Sequence, residues 1–165
     1  MELFSISSIG VIHTNFTNKE NMPVQPCGGM EHIGKIIISE SFTKGLKDLD
    51  GFSYIYLIYY FNQTKTEQLS VIPFNDKTHT LRGVFSTRTP VHPNKLGLSL
   101  VKLIDIKENI ITYQGVDILN GTPLIDIKPF IPAFDYVEGE IDTGWMQSSV
   151  DDIKTKRSDK RFKDK

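Results

Sequence analysis

The segment Ser53–Phe61, SYIYLIYYF, restricts the fold more than any other stretch of the chain. Its residues are almost all aromatic or β-branched, the side chains that suit a pleated surface. The run is too short for a typical helix and apolar on both faces, so it reads as a buried central strand. Its apolar stretch, Tyr54 to Phe61, is also far too short to span a bilayer.

Other short runs with turn signals between them repeat the pattern. Phe4–His13, Ile33–Ile38, Arg82–Thr87, Leu98–Ile106, Asn109–Val116 and Pro123–Ile127 all read as strands. Lys107-Glu108-Asn109 reads as a hairpin turn and Asn120-Gly121 as a second turn. A short helix is expected between Thr43 and Leu49, stopped by Gly51. No internal repeat and no alternation of strands with long amphipathic helices is visible. The pattern therefore favours a mainly-β barrel or sandwich over a doubly wound α/β fold. After Trp145 the chain becomes polar and charged. Residues 1–135 are expected to form the β domain and 136–165 a C-terminal extension, partly helical or mobile, with Trp145 as its anchor.

Composition removes several function classes. Hydrophobic content of 39% and charged content of 24% suit an ordinary globular chain, and 165 residues suit one domain. Met1–His13 has no secretory-leader pattern, and the single cysteine, Cys27, allows no internal disulfide, so a cytoplasmic protein is expected. A formal net charge of −1 argues against a surface built throughout for nucleic acid. Residues 154–165 nevertheless hold seven Lys/Arg against two Asp, either a solvated terminus or a local phosphate contact. His13, His32, His79 and His92 lack metal-ligand spacing, so no metal is expected. No glycine-rich phosphate loop, dinucleotide fingerprint or serine elbow occurs.

Two segments carry chemistry. In Arg82–Ser99, Pro90 and Pro93 stiffen a loop that presents Arg88, His92, Asn94 and Lys95. Such a loop suits an anionic or hydrogen-bonding ligand, or else is a tight connector with solvated charges. In Gln114–Phe130, Asp117 and Asp126 lie beside apolar strand residues. Either could accept hydrogen bonds from a ribose or amine, or pair with Arg88 or Lys128. The structural alternatives are turn capping for Asp117 and a partly buried ion pair for Asp126.

Several blocks then resemble the TsaA-like (TrmO-type) family in order and spacing. They are Ile9–Thr14, Pro23–Pro26, Lys44–Ser53, Gly83–Pro90 with Pro93-Asn94 and Gly97–Ser99, Asp117, Asn120–Pro123 and Asp126–Phe130. The resemblance covers residues 6–135. It implies a single-sheet antiparallel β-barrel with short helices, usually a homodimer. It also implies binding of S-adenosyl-L-methionine without a Rossmann-type glycine turn, and methyl transfer to N6 of the threonylcarbamoyl-adenosine beside the tRNA anticodon.

By the same resemblance the cofactor pocket draws on Gln25, Pro26, Cys27, Asn62, Gln63, Arg88, Leu98, Gln114, Gly115, Val116 and Asp117. Arg88 can pair with the methionine carboxylate. His92, Asn94, Lys95 and Lys128 are the candidates for acceptor binding. Asp126 is the candidate proton acceptor, because the N6 lone pair is delocalised and a base would help. A splayed base could stack on Tyr59, Tyr60 or Phe130. The chain departs from the family pattern in reading His92-Pro93-Asn94-Lys95 where Arg-Pro-Asn-Pro is common. It also has Asn62 for a frequent histidine and Cys27 for a frequent glycine, and it lacks the C-terminal domain of longer bacterial members. A small-molecule acceptor, or a cofactor- or RNA-binding module without catalysis, remain the alternatives to tRNA.

Overall fold

The computed structural model describes residues 2–74 and 76–159. Six antiparallel strands close into a barrel in the order β1-β2-β7-β6-β3-β8. They are β1 (Gly10–His13), β2 (Ile33–Ile38), β3 (Tyr54–Tyr60), β6 (Leu96–Lys107), β7 (Ile110–Gln114) and β8 (Thr122–Pro129). A two-stranded ribbon, β4 (Ser70–Val71) with β5 (Arg82–Gly83), stands beside it. The short helices α1 (Pro132–Asp135) and α2 (Val150–Thr155) follow the barrel.

Period-two alternation builds the interior. Ile36 and Ile38 from β2, Ile55 and Leu57 from β3, and Ile111 and Tyr113 from β7 are all essentially inaccessible to solvent. The SYIYLIYYF run forms β3, paired with β6 over Tyr54–Tyr60 and with β8 over Ile55–Tyr59; it is buried on its inner face only, and Tyr54 and Tyr60 are exposed. Closing the sheet leaves none of these strands with an unpaired edge.

Local chemistry shifted several boundaries. Strand β1 begins only at Gly10, and Leu3, Phe4 and Ile6 are exposed, so the expected strand over Phe4–His13 is shortened at its start. The expected strand over Arg82–Thr87 stops at Gly83 and turns into a 3-10 segment, Val84–Ser86. There the Ser86 and Thr87 hydroxyls donate to the carbonyls of Gly83 and Val84, three residues back, which competes with ladder pairing. The helix expected over Thr43–Leu49 is instead two 3-10 segments, Glu40–Leu46 and Leu49–Gly51. The β6–β7 hairpin turns on Glu108 and Asn109, with Lys107 opposite Ile110 and Glu108 at a φ of 54°. The extension after residue 135 contains one short helix and packs back on the barrel domain; its last residues, from 160, lie outside the described part.

Candidate functional site

In an all-antiparallel barrel, alternate strands end at the same mouth. The ends of β1, β3 and β7 and the starts of β2, β6 and β8 therefore share one rim. At this rim a cleft of about 800 Å³ opens. Its floor is formed by Tyr59 at the end of β3, Gly97 and Leu98 at the start of β6, and Asp117 just past β7. The Lys19–Gln25 loop, the Phe85–His92 loop and Asn62–Thr64 supply its sides.

A polar relay lies at the bottom. Ser99 Oγ lies 2.9 Å from Oδ1 and 3.1 Å from Oδ2 of Asp117, and the Tyr59 hydroxyl lies 3.1 Å from Ser99 Oγ. Serine has one proton; when Asp117 is ionised that proton goes to the carboxylate, and Tyr59 donates to Ser99. Tyr59 and Ser99 are both buried. Tyr59 and Gly97 are cross-strand partners, and a Cβ on Gly97 would clash with the tyrosine ring. Glycine at 97 thus lets the ring lie flat over β6, which brings its hydroxyl to Ser99, two residues along on the same face.

Burial pushes the Asp117 carboxyl up to about 7; the Ser99 hydrogen bond, its own backbone N–H and the charge of Arg88 oppose the rise without cancelling it. Burial and the Asp117 charge likewise raise the Tyr59 hydroxyl. Arg88 is exposed on the cleft wall. The cleft therefore offers one carboxyl on its floor, one guanidinium on its side and amides from Gln25, Asn62 and Gln63 at its edges. Apolar faces from Phe61, Phe85 and Leu98 complete it. This donor set matches a ligand with a cationic and an anionic end joined to a flat, polar-edged ring.

Of the cofactor residues implied by resemblance, Gln25, Asn62, Gln63, Arg88, Leu98 and Asp117 line the cleft. The others lie behind it. Pro26 and Cys27 belong to the 3-10 turn Pro26–Gly28, immediately after Gln25. Gln114 Nε2 donates to the Met30 carbonyl at 2.6 Å, Val116 is buried in the core, and Val116 N–H donates to the Gly29 carbonyl. Gln114–Val116 thus support the 26–29 turn from below.

The acceptor-binding candidates separate. His92 lines the cleft, with Nε2 3.1 Å from the Thr87 carbonyl and its ring edge-on to Phe85. Asn94 and Lys95 do not line it, since a turn closed by Lys95 N–H on the His92 carbonyl carries them past the rim. Lys128 and Asp126 form an ion pair at 2.8 Å with both side chains substantially exposed, away from the cleft. The cause is a β-bulge: Tyr59 pairs with Leu124 but Ile58 with Asp126, so Ile125 is extra. One added residue reverses the facing, sending Ile127 inward and Asp126 outward. Asp126 therefore lies outside the cleft lining and forms the ion pair that was one of its two expected roles. Tyr60 is exposed, and Phe130 packs edge-on against Tyr54, Tyr56 and Tyr136 rather than in the cleft. Reading the sequence missed Ser99, Phe61, Phe85 and Met146 as cleft residues. Only the β3–β6 register could have revealed Ser99.

Comparison with known proteins agrees with this architecture. The model of the tRNA-methyltransferase O N-terminal domain family matches residues 11–136. A Pyrococcus abyssi protein described as a probable S-adenosyl-L-methionine-binding protein is 41% identical over 155 residues, covering 93% of this chain and 82% of that protein. The tRNA (adenine(37)-N6)-methyltransferase of Escherichia coli K12 is 31% identical over 140 residues, covering 80% of this chain and 60% of that enzyme. The crystal structure of TrmO from Pseudomonas aeruginosa superposes with a TM-score of 0.74 at 30% identity, covering 89% of this chain and 64% of that one. The chain thus spans about three fifths of the length of the two named TrmO-type relatives. It belongs to the tRNA-methyltransferase O N-terminal domain family.

Proposed function

We propose that this protein is an S-adenosyl-L-methionine-dependent methyltransferase that acts on N6 of the threonylcarbamoyl-adenosine beside the tRNA anticodon. The observation that carries the cofactor part is the presence of both Asp117 and Arg88 in the lining of one cleft. A carboxylate and a guanidinium fit the ammonium or ribose hydroxyls and the carboxylate of an amino-acid nucleoside. The names of the Pyrococcus abyssi and Escherichia coli relatives support the same reading. The cofactor carries no phosphate, so the lack of a glycine-rich phosphate turn agrees with it.

When bound, the cofactor supplies an electrophilic methyl group on a sulfonium. This chain's residues would hold and orient the molecule that carries it. Arg88 would hold one end, the Asp117–Ser99–Tyr59 relay would hold hydroxyl or amine groups at the floor, and Phe61 and Leu98 would pack against its apolar parts. For an in-line displacement of that methyl group, such positioning would supply part of the acceleration. A homodimer is part of the proposal, as is a cytoplasmic location. No helix among the described residues is long and apolar enough to cross a membrane.

One observation favours a second reading, a small-molecule acceptor. The net charge is −1, so the molecule as a whole does not attract a polyanion. Labelled S-adenosyl-L-methionine, with tRNA from cells lacking this protein and subsequent nucleoside analysis, separates the two. Label on N6 of the anticodon-adjacent adenosine supports the tRNA reading. Cofactor heat in calorimetry with no label on tRNA discards it in favour of a small acceptor.

A further inference from the structure

The family match stops at residue 136, but the cleft does not. Thr143, Trp145, Met146, Ile153, Ser158 and Asp159 line its remaining side. We propose that the segment 143–159 is a built wall of the ligand site, with Trp145, Met146 and Ile153 closing over the nucleoside cofactor. The inference rests on the cofactor reading above and extends it to residues beyond the barrel.

Two latches hold this wall, and each fastens it to a loop that lines the cleft. At the first, Trp145 Nε1 donates to the Ser86 carbonyl at 2.8 Å, and the Arg82 guanidinium lies 5.4 Å from the indole centroid. Arg82 is fixed in turn by a 2.9 Å ion pair with buried Asp76. At the second, Ser158 joins the 19–22 loop through four hydrogen bonds. Its N–H donates to the Met22 carbonyl, and its own carbonyl accepts from Asn21 N–H. Its hydroxyl accepts from Met22 N–H and donates to the Lys19 carbonyl. Between the latches, α2 carries a capping box at Ser149 and Asp152 and an ion pair from Asp152 to Lys77. Its last turn lies against Gly28, where a Cβ would come within 3.0 Å of the Lys154 carbonyl.

A six-residue helix does not persist alone in water, so α2 is helical because it is docked. Few apolar contacts secure it, and such elements open locally at small free-energy cost. A ligand that touches the wall and both latch loops therefore stabilises the closed form. Trp145 is the sole tryptophan of the chain, so its emission reports on this wall alone.

The test titrates S-adenosylhomocysteine, the demethylated cofactor, into the full chain. Calorimetry, tryptophan emission and trypsin cleavage after Lys154, Lys156 and Arg157 are followed together. Binding is expected to shift Trp145 emission and slow cleavage several-fold. Trp145→Ala is expected to weaken binding about tenfold by calorimetry and Ser158→Ala about threefold, each with the barrel's thermal transition retained. Should Trp145→Ala lose that transition, Trp145→Phe and Ser158→Ala decide the matter. Heat of binding with silent emission, unchanged cleavage and unaltered affinity in the variants overturns the wall and leaves the cofactor reading standing. No heat with the wild-type chain overturns the cofactor reading, and this inference with it.

Discussion

Asp117 holds its carboxyl in a half-buried cluster with Ser99, Tyr59 and Tyr113, and its ionised form is disfavoured there. Because its folded value, about 7, is above the ordinary 3.8, the folded protein binds more protons than the unfolded chain between those values. Stability from this group is thus full below about pH 4, falls as pH rises toward 7, and is level above it. At about 1.4 kcal/mol per unit the shift corresponds to roughly 4 kcal/mol, which partial exposure of the residue reduces. Asp117→Asn is accordingly expected to be more stable than wild type by about 1–3 kcal/mol at pH 8 and nearly equal at pH 4. Urea unfolding at the two pH values measures this, and a gap independent of pH would contradict it. The same variant should bind S-adenosylhomocysteine about tenfold more weakly at pH 8, since removing a charged partner costs more than a neutral one. Gly97 supplies a second prediction. Its Cβ would meet the Tyr59 ring, so Gly97→Ala should cost about 1–3 kcal/mol in thermal unfolding and lose cofactor affinity as Tyr59 leaves Ser99.

The ribbon β4–β5 and its connecting loop act as one element through Asp76. Its carboxylate accepts from Thr78 N–H and Oγ1, from Thr80 N–H and from Arg82 Nε. The Arg82 bond first, and those from Thr78 next, hold this carboxyl well below the usual carboxylate range. The sign is opposite to that of Asp117. The stabilisation is present above about pH 4, the unfolded value, and is lost as pH falls through the depressed folded value. Arg82 stacks on Trp145, so losing this clamp should appear as a change in tryptophan emission below pH 4, before the barrel unfolds. Asp76→Asn should show the altered emission already at pH 7, and an unchanged acid profile would show that the clamp does not hold Trp145. Strand β8 shows the limit of pattern at this scale. Alternation from Leu124 would face Asp126 inward; the extra residue at Ile125 turns it out to Lys128.

Barrel closure brings the ends of β1, β3 and β7 and the starts of β2, β6 and β8 to one rim, where several of the connecting loops line the same cleft. The charge on the molecule limits how it can meet RNA. With a net charge of −1, an RNA partner must be held by a few local cations rather than by the overall field. If tRNA is the acceptor, its affinity should fall roughly tenfold to a hundredfold between 50 and 200 mM salt, as for about three to five phosphate contacts. Filter binding over that range measures the slope, and a flat response would argue for the small-molecule acceptor. Leu57→Ala, at the centre of β3 and wholly buried, is expected to cost about 2–5 kcal/mol in chemical unfolding without changing the salt slope.

Local composition by itself determined the β class, the strand Tyr54–Tyr60 and the β6–β7 hairpin, because side-chain shape and two-residue periodicity act over neighbouring positions. It also marked the Arg88–His92 loop and Asp117 as chemistry-bearing, since prolines and charges beside apolar strands are visible without any fold. Tertiary structure decided which of these residues meet. Ser99 joined Tyr59 and Asp117 through the β3–β6 register, and Asp126 and Lys128 left the site through a bulge. Asn94 and Lys95 passed the rim on a turn, and Trp145 came back to the cleft from 59 residues beyond Ser86 in sequence. Register, bulges and chain return depend on pairings between distant strands, and no window of sequence contains both partners.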